Sequence, residues 1–218
     1  MIKIGSVIQF GGYDWRVLDI QDDKALLLSD KILGSESYHS YTHITWENSN
    51  IRKYLNNKFL SELSQSDVSR IATSDIVNND NPWYGVEGGA TTSDKVFLLS
   101  LDELCNYFGS NKKLSKRPAP SYSERKWYSK GFRTWNDETK ELVIKDGYPT
   151  RASWIHDRNN SKRIAHEASG RALSWWLRTL GRDGSSAIYV YSDGSIKVNG
   201  YRVNNVFNCI RPALWLKL

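Results

Sequence analysis

Cysteine is scarce in this chain of 218 residues: Cys105 and Cys209 are the only two. Two thiols do not make a disulfide framework, and no Cys-x-x-Cys spacing exists for zinc or thiol redox chemistry. Reduced thiols in a cytoplasmic setting are the expectation, with a single bridge between the two as the other arrangement. Methionine is scarcer still, at one residue, which excludes a Met-rich adaptable surface. No stretch has the length and apolarity of a membrane span, so no membrane partner is expected. The opening MIKIGSVIQFGGYDW lacks a basic segment followed by a long apolar run, so no secretory signal is expected. Enzyme signatures are missing as well. There is no Gly-x-Ser-x-Gly, no phosphate-binding glycine loop and no His-Glu-x-x-His.

Aromatic residues, by contrast, are plentiful. Nine Trp and twelve Tyr exceed what a core of this size ordinarily uses, which points to some of them at a recognition surface. The net charge of +6 is local. Between Ser110 and Arg133 stand Lys112, Lys113, Lys116, Arg117, Arg125, Lys126, Lys130 and Arg133 against Glu124 alone, a net of +7 that leaves −1 for the remainder. A solvated lysine-rich loop accounts for such a run. Interleaved with Tyr122, Trp127, Tyr128 and Phe132, it could also grip single-stranded nucleic acid by stacking and phosphate contacts.

Turn and period signals place the elements. SVIQF and WRVLDI flank Gly11-Gly12, and KALLLSD follows Asp22-Asp23, which predicts antiparallel hairpins. Ile51, Leu55, Phe59 and Leu63 recur every four residues, the stripe of an amphipathic helix capped by Asn48 or Ser49. A short second helix is expected after Ser66. KVFLLS predicts a central strand, and Ser100 with Glu103 a capping box for a helix that holds Cys105 and stops at Gly109. Residues 110–170 predict a loop-rich, basic insertion with a short strand at Leu142–Lys145 before an Asp146-Gly147 turn. The whole of 1–218 is expected to form one domain.

The segment SAIYVYSDGSIKVNGYRV is a hairpin signal whose register can be argued. A three-residue loop, Ser192–Gly194, pairs Val190 with Ile196 and Ile188 with Val198, giving one apolar face. The other face then carries Tyr189, Tyr191, Lys197 and Asn199, with Gly194 as the left-handed residue. Four segments in order, ITWENSNIRKYLNNKF, TSDKVFLLSLDEL, SWWLRTLG and IRPALWLKL, resemble the DUF6273 family of bacterial and phage proteins. The resemblance runs along nearly the whole chain and is weakest from Ser110 to Gly170. It implies an α+β, C-type-lectin-like domain of the formylglycine-generating-enzyme type, in the cytoplasm or a phage particle. It is also similar to variable proteins of diversity-generating retroelements, in which adenine-rich codons near the C-terminus are rewritten. The family pattern has Gly where this chain has Cys209, which weakens the case for a tight turn there.

On that resemblance, Trp175, Trp176, Arg178, Arg211 and their apolar neighbours are framework. Between them Arg182, Asp183, Ser185, Ser186, Tyr189, Tyr191, Asn199, Tyr201, Arg202, Asn204, Asn205, Phe207 and Asn208 are the expected contacts. Tyr, Ser and Asn are what an adaptable paratope uses. The expectation is a non-enzymatic binder of a protein or surface glycan, without cofactor or metal. A plain solvated hairpin face is the alternative for the same pattern. Nucleic acid through residues 110–133 and, third, a sulfatase-modifying enzyme acting through Cys209 are the other functional readings. His39 and His43, spaced for a helix-borne metal site, lack a third ligand nearby; His156 and His166 stand alone. Asp75, Asp80, Glu87 and Asp94 do not follow an EF-hand order.

Overall fold

Turn chemistry sets the first sheet. β1 (Val7–Phe10) meets β2 (Tyr13–Gln21) across Gly11-Gly12, both at positive φ as a two-residue hairpin loop requires. β3 (Lys24–Ser29) follows across Asp22-Asp23, with Gln21 opposite Lys24. The computed structural model describes residues 2–40, 43–115 and 153–218 in full, together with the backbone of two strands, Arg133–Asn136 and Glu141–Ile144. The turn expected at Asp146-Gly147 lies outside the described residues.

After β4 (Gly34–Ser35) the chain enters α1 (Asn50–Tyr54), which runs on as a turn of π-helix over Leu55–Phe59. Ser49 is the cap, its Oγ accepting from the Arg52 amide at 3.3 Å. Ile51, Leu55, Phe59 and Leu63 are all buried, as the four-residue spacing requires. α2 (Gln65–Arg70) begins earlier than expected: Ser64 caps it and Ser66 is already helical. Leu63 is the last anchor of the preceding stripe, so the chain turns at once. The Ser64 hydroxyl accepts from the Asp67 amide and donates to its carboxylate, which sits in the helix's first turn.

Strands β5 (Ile71–Ala72), β6 (Ser74–Ile76), β7 (Thr92–Asp94) and β8 (Val96–Phe97) lead to α3 (Leu101–Phe108). KVFLLS forms a shorter strand than expected. Leu98 and Leu99 are fully buried, but their carbonyls accept from the Arg178 side chain and backbone. The capping box of Ser100 and Glu103 is complete, and Gly109 ends α3 at φ 92°. β9 (Arg133–Asn136) and β10 (Glu141–Ile144) pair with each other, the second beginning one residue before the expected strand. Then come β11 (Trp154–Ile155), β12 (Ala165–His166), β13 (Ala172–Leu173), β14 (Trp175–Leu180), β15 (Ser186–Val190), β16 (Ile196–Arg202), β17 (Cys209–Ile210) and β18 (Ala213–Lys217).

Two six-stranded sheets dominate. The first runs β1-β2-β3-β18-β5, with β8 also on β18, so the last strand of the chain lies beside the third. The second runs β11-β16-β15-β14-β17-β4. With its helices and largely antiparallel sheets the chain is α+β. One apolar core takes residues from both sheets. Trp15, Trp46, Trp175 and Trp176 are buried in it, and each indole nitrogen finds an acceptor: the carbonyls of Phe10, Arg163 and Glu36 for three of them and the Asp94 carboxylate for Trp46. Much of the aromatic excess is therefore core. Cys209, at the position in question for a tight turn, is not a turn: it pairs with Ser35 on β4 and with Trp175 on β14.

Arg178 joins these parts. Its guanidinium is buried and donates to both Glu103 oxygens, to the Leu98 and Val77 carbonyls and to Asn78 Oδ1. Glu103→Ala strands this charge and opens the capping box. We expect a loss of about 3 kcal/mol in unfolding free energy by urea denaturation. The double variant Arg178→Met, Glu103→Leu, which removes both charges, should lose less.

Candidate recognition surface

The hairpin β15–β16 carries six of the thirteen expected contacts, the rest flanking it, and its tip follows the expected geometry. Gly194 N donates to Tyr191 O and Tyr191 N to Ser195 O, both at 2.8 Å, which closes a three-residue loop with Gly194 at φ 80°. Val190 faces Ile196 and Tyr189 faces Lys197. The expected pairing of Ile188 with Val198 does not form. The next pair is Ala187 with Tyr201, so Val198, Asn199 and Gly200 together oppose Ile188. Gly200 makes this possible: it sits at φ 73°, and a Cβ there would lie 2.5 Å from the Ala187 carbonyl oxygen. Two extra residues leave the alternation of faces unchanged, so Tyr201 stays on the side of Tyr189 and Lys197.

Several of the thirteen expected contacts are occupied in building turns. Asp183 Oδ1 accepts from the Ser185 amide and from the hydroxyls of Ser185 and Ser186. Burial works to raise the Asp183 pKa, but these hydrogen bonds outweigh it and hold the carboxyl below its usual range. Asn205 Oδ1 accepts from the amides of Phe207 and Asn208. Ser186 and Asn208 are buried, so an outward role for them is corrected.

Tyr189 is a further correction: expected outward, it is only 6% exposed. The rings of Trp154, Trp176 and Tyr201 stand edge-on around it, with centroids 6.3, 6.2 and 6.0 Å away. Burial pushes its phenol pKa up. Tyr189 is thus the floor of an aromatic cluster, while Tyr191 and Tyr201 remain 44% and 45% exposed at its edges. Trp154 links Tyr191 to the cluster at 5.7 Å. Sequence reasoning missed Trp154, because a two-residue strand has no periodicity; its β-pairing with Lys197 brings it here.

Lys197 lies in the middle of this cluster. Its Nζ is 5.2 Å from the Trp154 ring centroid, 5.9 Å from Tyr189 and 5.8 Å from Tyr201. Burial among the rings lowers its pKa, and Arg182 lowers it further. Lys197 lines a groove of about 540 Å³ together with Arg182, Asp183, Ser185, Ser186, Asn199, Tyr201, Arg202 and Asn204, and with Ser40. Eight of the thirteen expected residues therefore converge on one groove. Phe207, 81% exposed, and Val206 line a separate hollow of about 480 Å³ with Ile32, Leu173 and Cys209. Of the eight exposed large hydrophobics among the described residues, Tyr191, Tyr201, Val206 and Phe207 fall in this one stretch of chain, which marks it as a candidate interface.

The other candidate chemistries are placed as follows. His39 and His43 lie in the loop before α1, not on a helix. Asp94 is buried and holds Trp46, Thr92 and Arg52, and Asp80 accepts the Gly88 amide. Among the described residues no three His, Cys, Asp or Glu side chains gather as a metal set. Of the basic segment, Lys113 turns back toward the His156 carbonyl and Asp157. Lys116–Phe132 lies outside the described residues, and with it most of the nucleic-acid reading. Among the described residues no helix is long and apolar enough to cross a membrane.

Residues 22–218 match the family described as Domain of unknown function (DUF6273), and the chain belongs to that family. No curated protein and no solved structure matches it.

Both cysteines are free and buried, so no bridge joins them. Burial pushes the Cys105 thiol up to about 12 and raises Cys209 as well. The folded chain at pH 8 should therefore react with Ellman's reagent at well under one thiol, and the chain in guanidinium at both. Rapid labelling of Cys209 in the folded state would contradict its burial.

Proposed function

We propose that this chain is a C-type-lectin-like binding protein whose carboxyl-terminal hairpin and following loop recognise a macromolecule, a protein before a glycan. The observation that carries the reading is the aromatic cluster with its exposed edges. Tyr191, Tyr201 and Phe207 offer large, stiff, amphipathic area on a backbone fixed by turns, which costs little entropy to engage. Arg202 and Asn204 add exposed hydrogen-bonding groups beside them. Support for the fold comes from β18, which returns beside β3 and brings both ends of the chain into one sheet, and from the buried Arg211-Pro212-Ala213 that precedes it. Exposed apolar side chains of this kind match a protein surface better than a sugar's hydroxyls.

The test is a triple variant, Tyr191→Ser, Tyr201→Ser, Phe207→Ser, compared with the parent chain at matched thermal stability. Both are immobilised, and retained proteins are identified by mass spectrometry while a glycan array is read in parallel. A protein ligand held by the parent should bind the variant about 100-fold more weakly. Ligands that bind both chains equally place the site elsewhere, and a ligand found only on the glycan array reverses the order of the two classes. Diversification is checked in the coding DNA. A nearby reverse transcriptase gene, with a partial repeat of the 3′ coding end differing at adenines alone, supports it; absence of both removes it.

A further inference from the structure

A half-buried ammonium ordinarily finds an oxygen. Lys95 shows the usual solution here, its Nζ donating to the carbonyls of Val68 and Ile71. Lys197 has no such partner. Among the described residues its Nζ makes no hydrogen bond and no ion pair, and meets only the three ring faces. Cation–π contact returns part of the lost hydration but leaves the donors without a protein partner, open to water or a ligand. The groove that Lys197 lines adds Arg202, and Arg182 paired with Asp183 at 3.4 Å; that carboxylate, the only one lining the groove, also holds the Ser185 and Ser186 turn. Asn199, on the same wall, has a side-chain oxygen that is buried and unpartnered among the described residues. The groove therefore offers cationic donors together with a neutral acceptor, flanked by the apolar edge of Tyr201.

We propose that this groove binds an acidic segment of a protein partner, with an Asp or Glu carboxylate on Lys197 and a peptide N–H on Asn199. The inference rests on the reading of this face as a recognition surface and names what it recognises. Peptide is favoured over other anions because it carries acceptor, donor and apolar side chains together. The phosphodiester backbone of DNA supplies no N–H or O–H for Asn199, and an acidic sugar supplies no apolar side chain for Tyr201.

The experiment is selection of a random nonapeptide display library on the full chain, followed by anisotropy titration of the most enriched peptide. Enrichment of Asp or Glu at a fixed position is expected. Lys197→Met, which keeps the stem among the rings, should weaken that peptide at least about 10-fold, and Lys197→Arg should restore binding to within about 3-fold. Arg202→Gln, at an exposed position, should weaken it less and raise no question of folding. Thermal melts of each variant within a few degrees of the parent show that the scaffold is intact. Three outcomes overturn the proposal: enriched peptides without acidic residues, equal affinity in Lys197→Met, or tighter binding of a heparin fragment or single-stranded DNA than of any peptide. Acid-free peptides that still need Tyr201 and Phe207 sink this inference and leave the recognition surface standing. Enrichment of no peptide at all sinks both.

Discussion

A guanidinium removed from water must find its acceptors in protein, and Arg178 finds five. They come from the loop at Val77 and Asn78, the link between β8 and α3, and the first turn of α3. The backbone of the same residue accepts from the Tyr38 hydroxyl and donates to Leu99. A buried ion pair adds little net stability over well-packed apolar groups, but a misplaced one is strongly penalised. Its effect is thus to exclude alternative placements of β14. The exposed side chains of β15 and β16 on the proposed face hang from that strand, since β15 pairs with β14 and β16 with β15. Fixing one cation in the core fixes the frame in which Tyr191, Tyr201 and Lys197 stand.

The same local device then sets the loops. In Asp183-Gly184-Ser185, Asp193-Gly194-Ser195 and Asn205-Val206-Phe207, the first side chain accepts the amide of the third residue. Each is a short polar turn that replaces a missing backbone acceptor, so the loop holds its shape without a core of its own. This divides the polar residues of the region. Those that begin a turn are consumed by it, and those between turns are left for contact. Phe207 shows the effect most plainly: a ring this exposed on a wandering loop would lose considerable entropy on binding, whereas here its backbone is already pinned.

What could be read from the sequence follows from where local chemistry decides the structure. The Gly11-Gly12 and Asp22-Asp23 turns, the Ile51 to Leu63 stripe, the Ser100 and Glu103 box and the Gly194 loop all rest on interactions within a few residues, and all were legible. The DUF6273 motifs were legible because they are the buried framework. Long-range effects were not. The inward turn of Tyr189 depends on Trp154, which arrives from a segment with no period of its own. The bulge at Gly200 depends on the close approach of Ala187. KVFLLS keeps only Val96–Phe97 as strand, because Arg178, some eighty residues away, takes the Leu98 carbonyl. Alternation identified which face Tyr189 shares with Lys197 but could not say that other rings would cover it.

That covering changes what the face can do. Three rings packed around Tyr189 give Lys197 a partly desolvated setting, which raises the cost of leaving its ammonium unpaired in their midst. A lone cation–π contact is worth about 0.5–2 kcal/mol, while the desolvation of an ammonium takes several. Three rings bring the two close to balance without closing the gap, so Lys197 stays in place but retains unmet hydrogen-bonding capacity. Water reaching the groove supplies some of it. An anion held by rigid neighbours supplies more, because the reorganisation it would otherwise demand has already been met by Arg178, the turns and the aromatic floor. The frame and the unsatisfied charge are thus two parts of one arrangement: the first without the second is a stable sheet, and the second without the first is a mobile lysine.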